Sequence, residues 1–296
     1  MAGKGRGFRI FSNIVMILLS FAAVMPFILL VVSSITREEV IARYWYSFVP
    51  RAIDFAAYRY LFMSSNRILK AYGMTFLVAF IGTSCNMLMT MFAGYLLSKR
   101  DLPGRNFISF FIFFTMLFSG GMIPSYIIWS RLMKVGDTIF GLICPNLMLS
   151  AFNIILMRTY FTSNIPYELC EAAEMDSCSE AGILFHICLP LSKPMIATLT
   201  LFSGLAYWND WINGLYYIVT RKELYTIQNV LNSLQNNADY LKQYVNSSGL
   251  GAYAKDIPSL SFRMALAVMS VAPILIIFPF FQKSFVRGIV IGGVKG

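Results

Sequence analysis

The chain has 296 residues, of which 57% are hydrophobic and only 13% charged; 24 Lys and Arg stand against 14 Asp and Glu, a formal net charge of +10. Soluble globular domains carry about a quarter charged residues, so this composition, with 26 Phe and a mean hydropathy of +0.65, excludes an ordinary soluble domain. It equally excludes intrinsic disorder, which requires low hydrophobicity, and leaves an integral membrane protein.

Charge-free runs occupy 10–36, 71–98, 106–130, 138–157 and 264–282, and a sixth, 194–219, is interrupted only by Asp210. About 20 helical residues cross a hydrocarbon core of ~30 Å. The runs therefore predict an all-α bundle of six transmembrane helices, near 10–34, 72–98, 106–130, 138–158, 194–219 and 262–283, in one domain covering 1–296. Transmembrane strands would give shorter segments of alternating polarity. The first run follows the basic residues Lys4, Arg6 and Arg9, but its apolar part is longer than a secretory signal's and reads as a retained helix. An even number of spans puts both termini on one side. The short segments 1–9, 99–106 and 283–296 carry three basic residues each, which favours cytoplasmic termini. The remaining basic charge suits anionic headgroups. No aromatic–basic module points to nucleic acid.

The five cysteines lack the paired spacing of a zinc site, and His186 is the one histidine. Neither an H-E-x-x-H nor a phosphate-binding G-x-x-x-x-G-K-[ST] occurs, so neither a catalytic nor a metal site is expected and the chain has no nucleotide loop of its own.

The exception to the basic pattern is the loop between the fourth and fifth spans. Glu168, Glu171, Glu174, Asp176 and Glu180 fall within 13 residues, with no base among them. The local pattern predicts a helical hairpin over 164–190. Pro166 opens the first helix, and acids in its first turn complement the helix dipole. Ser177 with Glu180 reads as a capping box for a second helix that ends before Pro190. Such a hairpin is either a solvated surface feature or a knob for a basic-edged groove on another protein.

Polar residues inside the spans are functional candidates. They are Asn86, Asn153, Asn209 and Asp210, with Tyr207, Trp208, Trp211 and Tyr216 nearby; sugars need such donors and flat rings. The same groups could instead only bond neighbouring helices. The outer segment 221–258 reads as a polar loop with Asn236, Asn237 and Tyr240 near its middle.

Glu171-Ala172-Ala173, then Ser177, then Ile187-x-Leu189-Pro190 resembles the E-A-A-x-x-x-G-x9-I-x-L-P loop of ABC importer permeases, with Ser177 in place of that family's Gly. Phe118-Ser119-Gly120-Gly121-Met122-Ile123-Pro124, Trp208-Asn209-Asp210 and the ending Gln282-Lys283-x5-Gly288-x3-Gly292-Gly293-Val294-Lys295-Gly296 extend the resemblance. It covers essentially the whole chain and points to the second permease of maltose-type carbohydrate importers, within the branch that handles oligosaccharides and polysaccharide fragments.

The resemblance implies a non-enzymatic subunit in a bacterial plasma (inner) membrane. Its partners would be a homologous second permease, an ATPase dimer that holds the ATP and Mg, and an extracellular or periplasmic solute-binding protein. Glu171, Ala172, Ala173, Asp176 and Ser177 would form the coupling helix that docks on the ATPase. Asn153, Trp208, Asn209 and Asp210 would lie along the oligosaccharide path, and Asn236, Asn237 and Tyr240 would touch the binding protein. A Gly in the coupling turn permits φ > 0, which Ser adopts at a cost of roughly 1 kcal/mol. Either the turn differs here or the capping box offsets the strain. Two rivals remain at this point: an ion-coupled secondary transporter, and a membrane sensor or scaffold.

Overall fold

A computed structural model describes residues 4–63, 65–247 and 260–293. The described residues are almost wholly helical, and Thr36 and Ile53 form an isolated antiparallel β-bridge. Contacts group the chain into two compact units, Met1–Arg67 with Leu231–Pro273, and Ile68–Val230 with Ile274–Gly296.

The first unit opens with α1, Lys4–Ser34. Phe8, Phe11, Ile14, Leu18 and Phe21 are all exposed on it, as a helix bathed in lipid requires. Short helices α2 (Glu38–Tyr44) and α3 (Ala56–Met63) follow. Helix α14, Leu260–Gly293, begins in this unit. The Glu38 carboxylate accepts the backbone N–H groups of Leu260 (2.9 Å) and Ser261 (2.9 Å) and the Ser261 hydroxyl. Those amides are among the donors that the start of a helix leaves without intrahelical acceptors, and a carboxylate suits that end of the dipole.

The second unit contains most of α4 (Ser65–Ser98), then α5 (Arg105–Leu117), α6 (Met122–Leu132), α7 (Phe140–Ile143), α8 (Ala151–Asn164), α9 (Tyr167–Met175), α10 (Glu180–Leu191), α11 (Lys193–Asn209) and α12 (Ile212–Tyr217). Helix α13, Ile227–Ser247, comes next.

By length and composition, Gly7–Ser34, Asn66–Ser98 and Leu260–Pro279 can each cross a membrane, and two bent pairs would raise the number to five among the described residues. Three of the expected spans are interrupted for local chemical reasons. Run 106–130 bends by 113° between α5 and α6, where Gly121 adopts φ 84, a conformation that suits Gly. Run 138–158 is not one helix. Pro145 lacks an N–H and Asn146 takes φ 61, so the chain breaks between α7 and α8. Run 194–219 stops at Asn209 and resumes at Ile212.

Two corrections concern helix ends. The segment expected to stop before Pro190 runs on to Leu191. It does so through a wide turn over Leu184–Cys188, in which Leu189 donates to the Leu184 carbonyl, so the helix tolerates the missing Pro190 donor. The expected outer polar loop is largely the 21-residue helix α13, with Ile227, Val230, Leu231 and Ala238 buried. Positions 248–258 of that segment, and Val294-Lys295-Gly296 of the terminal motif, lie outside the described residues.

A core in the second unit joins Met87, Tyr95, Met157, Phe161, Ile165, Ile183, Leu184, Cys188 and Leu199. It packs α4, α8, α10 and α11 together at the level of the acidic hairpin.

Candidate coupling hairpin and polar interior

Helix α9 ends in a Schellman motif. The N–H of Cys178 donates to the Ala173 carbonyl (2.9 Å) and that of Ser177 to the Glu174 carbonyl (3.0 Å). Ser177 occupies the left-handed position of this motif at φ 59, which Gly favours. The turn therefore keeps the geometry a Gly would supply, with Ser bearing the conformational cost. The capping box does not form as expected. Ser179, two residues later, caps α10 by accepting the Gly182 N–H at 3.2 Å. The left-handed turn moves the start of the second helix forward by those two positions.

Glu180 faces another element altogether. Its carboxylate accepts the Tyr95 hydroxyl at 2.6 Å and pairs with Lys99, which also lies 3.1 Å from Glu174 Oε1. Hydrogen bonds from Lys99 and then Tyr95 hold the Glu180 carboxyl below the usual glutamate range. Burial works against the Lys99 ammonium, but the two carboxylates outweigh it and raise its pKa. Two of the five clustered acids thus share one base from outside the hairpin. The Arg100 guanidinium also stacks over Tyr167, 4.9 Å from the ring centroid.

The outward face carries Glu168, Leu169, Glu171, Ala172, Met175, Asp176 and Ser177, all exposed. Met175 is 86% exposed. Ala173 is half-buried against the core, so of the two alanines only Ala172 is presented outward. Leu169 and Met175 add apolar surface that acidity alone does not signal; their spacing with Ala172 on a nine-residue helix is the clue.

The interior candidates separate. Asn153 is buried, and its Nδ2 donates to Ser203 Oγ (3.1 Å) and to Asn86 Oδ1 (3.4 Å). Ser203 Oγ donates to the same Asn86 oxygen at 2.7 Å, while Asn86 Nδ2 donates to the Leu147 carbonyl at 2.8 Å. This network ties α4, α8 and α11 to the α7–α8 link. Asp210 Oδ1 accepts the N–H groups of Ile212 (3.1 Å) and Asn213 (3.3 Å) and so caps α12. Asn209 beside it is exposed.

Trp208 is buried against Phe76, with ring centroids 5.2 Å apart. With Phe76, Phe80, Thr83, Leu205 and Ile277 it lines an apolar cavity of about 400 Å³. The structure therefore brings Asn153 and Trp208 into the packed interior and leaves Asn209 outward. Asn236, Asn237 and Tyr240 are exposed on α13.

Residues 56–291 match the family of binding-protein-dependent transport system inner membrane components. A polygalacturonan/rhamnogalacturonan transport system permease protein of Bacillus subtilis is 34% identical over 97% of this chain and 99% of its own length. An arabinooligosaccharides transport system permease protein of the same organism is 27% identical, over 98% and 96%. A solved bacterial ABC transporter involved in the import of the acidic polysaccharide alginate has a chain that superposes with a TM-score of 0.72 at 29% identity, over 96% of this chain and 99% of that one.

Proposed function

The chain belongs to the family of binding-protein-dependent transport system inner membrane components, and on that premise we propose that it is the multi-pass permease subunit of an ATP-driven importer of oligosaccharides or polysaccharide fragments. It forms half of the translocation pathway in the bacterial plasma membrane, with both termini cytoplasmic. A homologous second permease supplies the other half. An ATPase dimer holds ATP and Mg and performs hydrolysis, and a solute-binding protein delivers the sugar from outside.

The observation that carries this reading is the hairpin: a short helix, closed by a Schellman turn, that presents Glu171, Ala172, Met175 and Asp176 outward. Its acids suit a basic-edged cleft, Ala172 permits close approach, and Met175 supplies an adaptable apolar anchor. ATP-driven closure of the ATPases carries the hairpin with it and rocks the bundle toward its outward-facing state; hydrolysis resets it. Substrate contacts draw on Asn209 and Asp210, where the fifth span breaks, with the buried Trp208 packed behind them. Asn236, Asn237 and Tyr240 engage the binding protein.

Purification of the tagged chain from its native membrane tests the reading. An ATPase and a second permease should accompany it in stoichiometric amounts, and Glu171→Lys should uncouple hydrolysis from sugar uptake without unfolding the chain. A lone protein that moves sugar on an ion gradient would overturn the reading, as would normal uptake by the Glu171→Lys variant.

A further inference from the structure

The hairpin is joined covalently to the bundle at two places, the short links before Tyr167 and after Leu191. Its second helix, α10, is also packed into the core through Ile183, Leu184 and Cys188 and meets Phe92 of α4 edge-on through Phe185 at 6.2 Å, whereas α9 rests on that core through Cys170 and Ala173. A polar attachment to both helices comes from α4, the 34-residue helix that ends at Ser98. Tyr95, in its last turn, is buried in the core beside Met157, Phe161 and Ile183, and its ring meets Phe161 edge-on at 6.2 Å. Its hydroxyl bonds Glu180 Oε2 at the start of α10. One turn on, the Lys99 ammonium lies 5.5 Å from the Tyr95 ring centroid and pairs with Glu174 at the end of α9 and Glu180 at the start of α10.

One cation therefore holds both helices of the hairpin. The end of α4 is itself fixed, because Arg105 Nε donates to the Leu97 carbonyl at 2.9 Å and Ser98 Oγ to the Tyr95 carbonyl at 2.7 Å. Isolated exposed ion pairs contribute little to stability. Here a lysine side chain 24% exposed meets two more exposed carboxylates at once, one of which is also bonded by a buried tyrosine, and this shared geometry fixes an orientation as well as a distance.

We infer that Lys99, with Tyr95, is a positioning residue that clamps both helices of the coupling hairpin to α4, so that displacement of α9 is delivered to a long membrane helix together with the packed α10. The inference rests on the reading of the hairpin as the ATPase-docking element. It assigns the acids two separate tasks: Glu174 and Glu180 pair with Lys99 at the end of α4, and Glu171 and Asp176 are left for the partner. Coupling between distant sites can be carried by a rigid element that both ends bias, and this junction gives α4 one such end.

The test uses the complete complex of this chain with its second permease and ATPase, in wild-type and Lys99→Gln forms. ATPase stoichiometry after purification reports docking. Amide hydrogen exchange over 167–191 and over 92–98, with and without ATP, Mg and vanadate, reports transmission. In the wild type both segments should respond to nucleotide. In Lys99→Gln the ATPase should remain at wild-type stoichiometry and the hairpin should still respond, while the response of 92–98 falls by about fivefold or more. Lys99→Arg should restore it, which a simple loss of folded protein would not allow. The pair Glu174→Gln with Glu180→Gln should reproduce the defect and serves if Lys99→Gln folds poorly. An undiminished response of 92–98 in these variants overturns the clamp while leaving docking intact. Absence of the ATPase from the wild-type complex overturns the docking reading and the clamp with it.

Discussion

The backbone N–H of Cys178 donates to the carbonyl of Ala173 at 2.9 Å, closing the acidic hairpin over a serine whose φ is 59. An L-residue in that conformation costs roughly 1 kcal/mol more than Gly. Ser177→Gly should therefore stabilise the hairpin by about 1 kcal/mol and slow amide exchange over 167–191. Ser177→Val, which adds a branched Cβ, should speed it. Equal exchange in the two variants would show that the turn is not strained.

Met175 is the most exposed large apolar side chain of the hairpin. If it anchors the ATPase, Met175→Asp should weaken copurification by about tenfold, the effect of losing one apolar anchor from a small interface. The readout is the ATPase ratio across a salt series. Ala173→Leu should instead disturb folding, because Ala173 packs against the core.

The Asn86–Asn153–Ser203 network gives an ordering. Asn86 bonds Ser203, Asn153 and the Leu147 carbonyl, so Asn86→Ala leaves several buried groups without partners, at about 1–3 kcal/mol. Ser203→Ala should cost less. Thermal unfolding in detergent checks the order, and the two losses should be strongly non-additive.

Gly82 and Gly73 lie on the same helix in different surroundings. A Cβ at Gly82 would fall 2.5 Å from the Tyr207 ring, which is held by its hydroxyl bond to the Ile143 carbonyl at 2.9 Å. A Cβ at Gly73 meets nothing within 4 Å. Gly82→Ala should destabilise the bundle by about 1–3 kcal/mol; Gly73→Ala should be neutral or slightly stabilising.

Asp137 accepts N–H bonds from Val219 (2.8 Å), Thr220 (2.9 Å) and Arg221 (3.1 Å), and the Thr220 hydroxyl. The Arg221 amide, the Thr220 hydroxyl and the other amides hold its pKa at about 2, below the ordinary 3.8. A carboxyl depressed on folding stabilises the fold above its unfolded pKa, and that stabilisation is lost as pH falls through the folded one. The loop at 217–221 should loosen between about pH 4 and pH 2. Asp137→Asn, which tolerates the same φ of 54, should flatten that dependence. An unchanged acid limb would assign it to other groups.

The helical bundle was legible because charge-free runs leave few alternatives in lipid. The breaks were less so. They depend on single residues such as Gly121 and Asn146, whose backbone conformation hydropathy does not report. At the hairpin, Ser177 and Ser179 both look like caps two residues apart, and only the left-handed turn at the first decides for the second. Glu180 looks like a local cap in sequence because its partner Lys99 is 81 positions away. The polarity of 232–246 suggested a loop, although Ile227, Val230 and Leu231 already carry helical spacing. Asp210 reads as a buried acid in sequence and as a helix cap in three dimensions.

The bond between Glu38 and Leu260 links positions 222 residues apart. At synthesis rates of ~5–20 residues per second, the ribosome needs roughly 10–45 s to bridge that separation. Throughout that interval the early part of the first unit waits in the bilayer without its closing helix. The order of synthesis thus completes the core of α4, α8, α10 and α11, whose members lie between Met87 and Leu199, before Leu260 is made, and gives the nascent N-terminal helices a window in which insertion machinery must shield them.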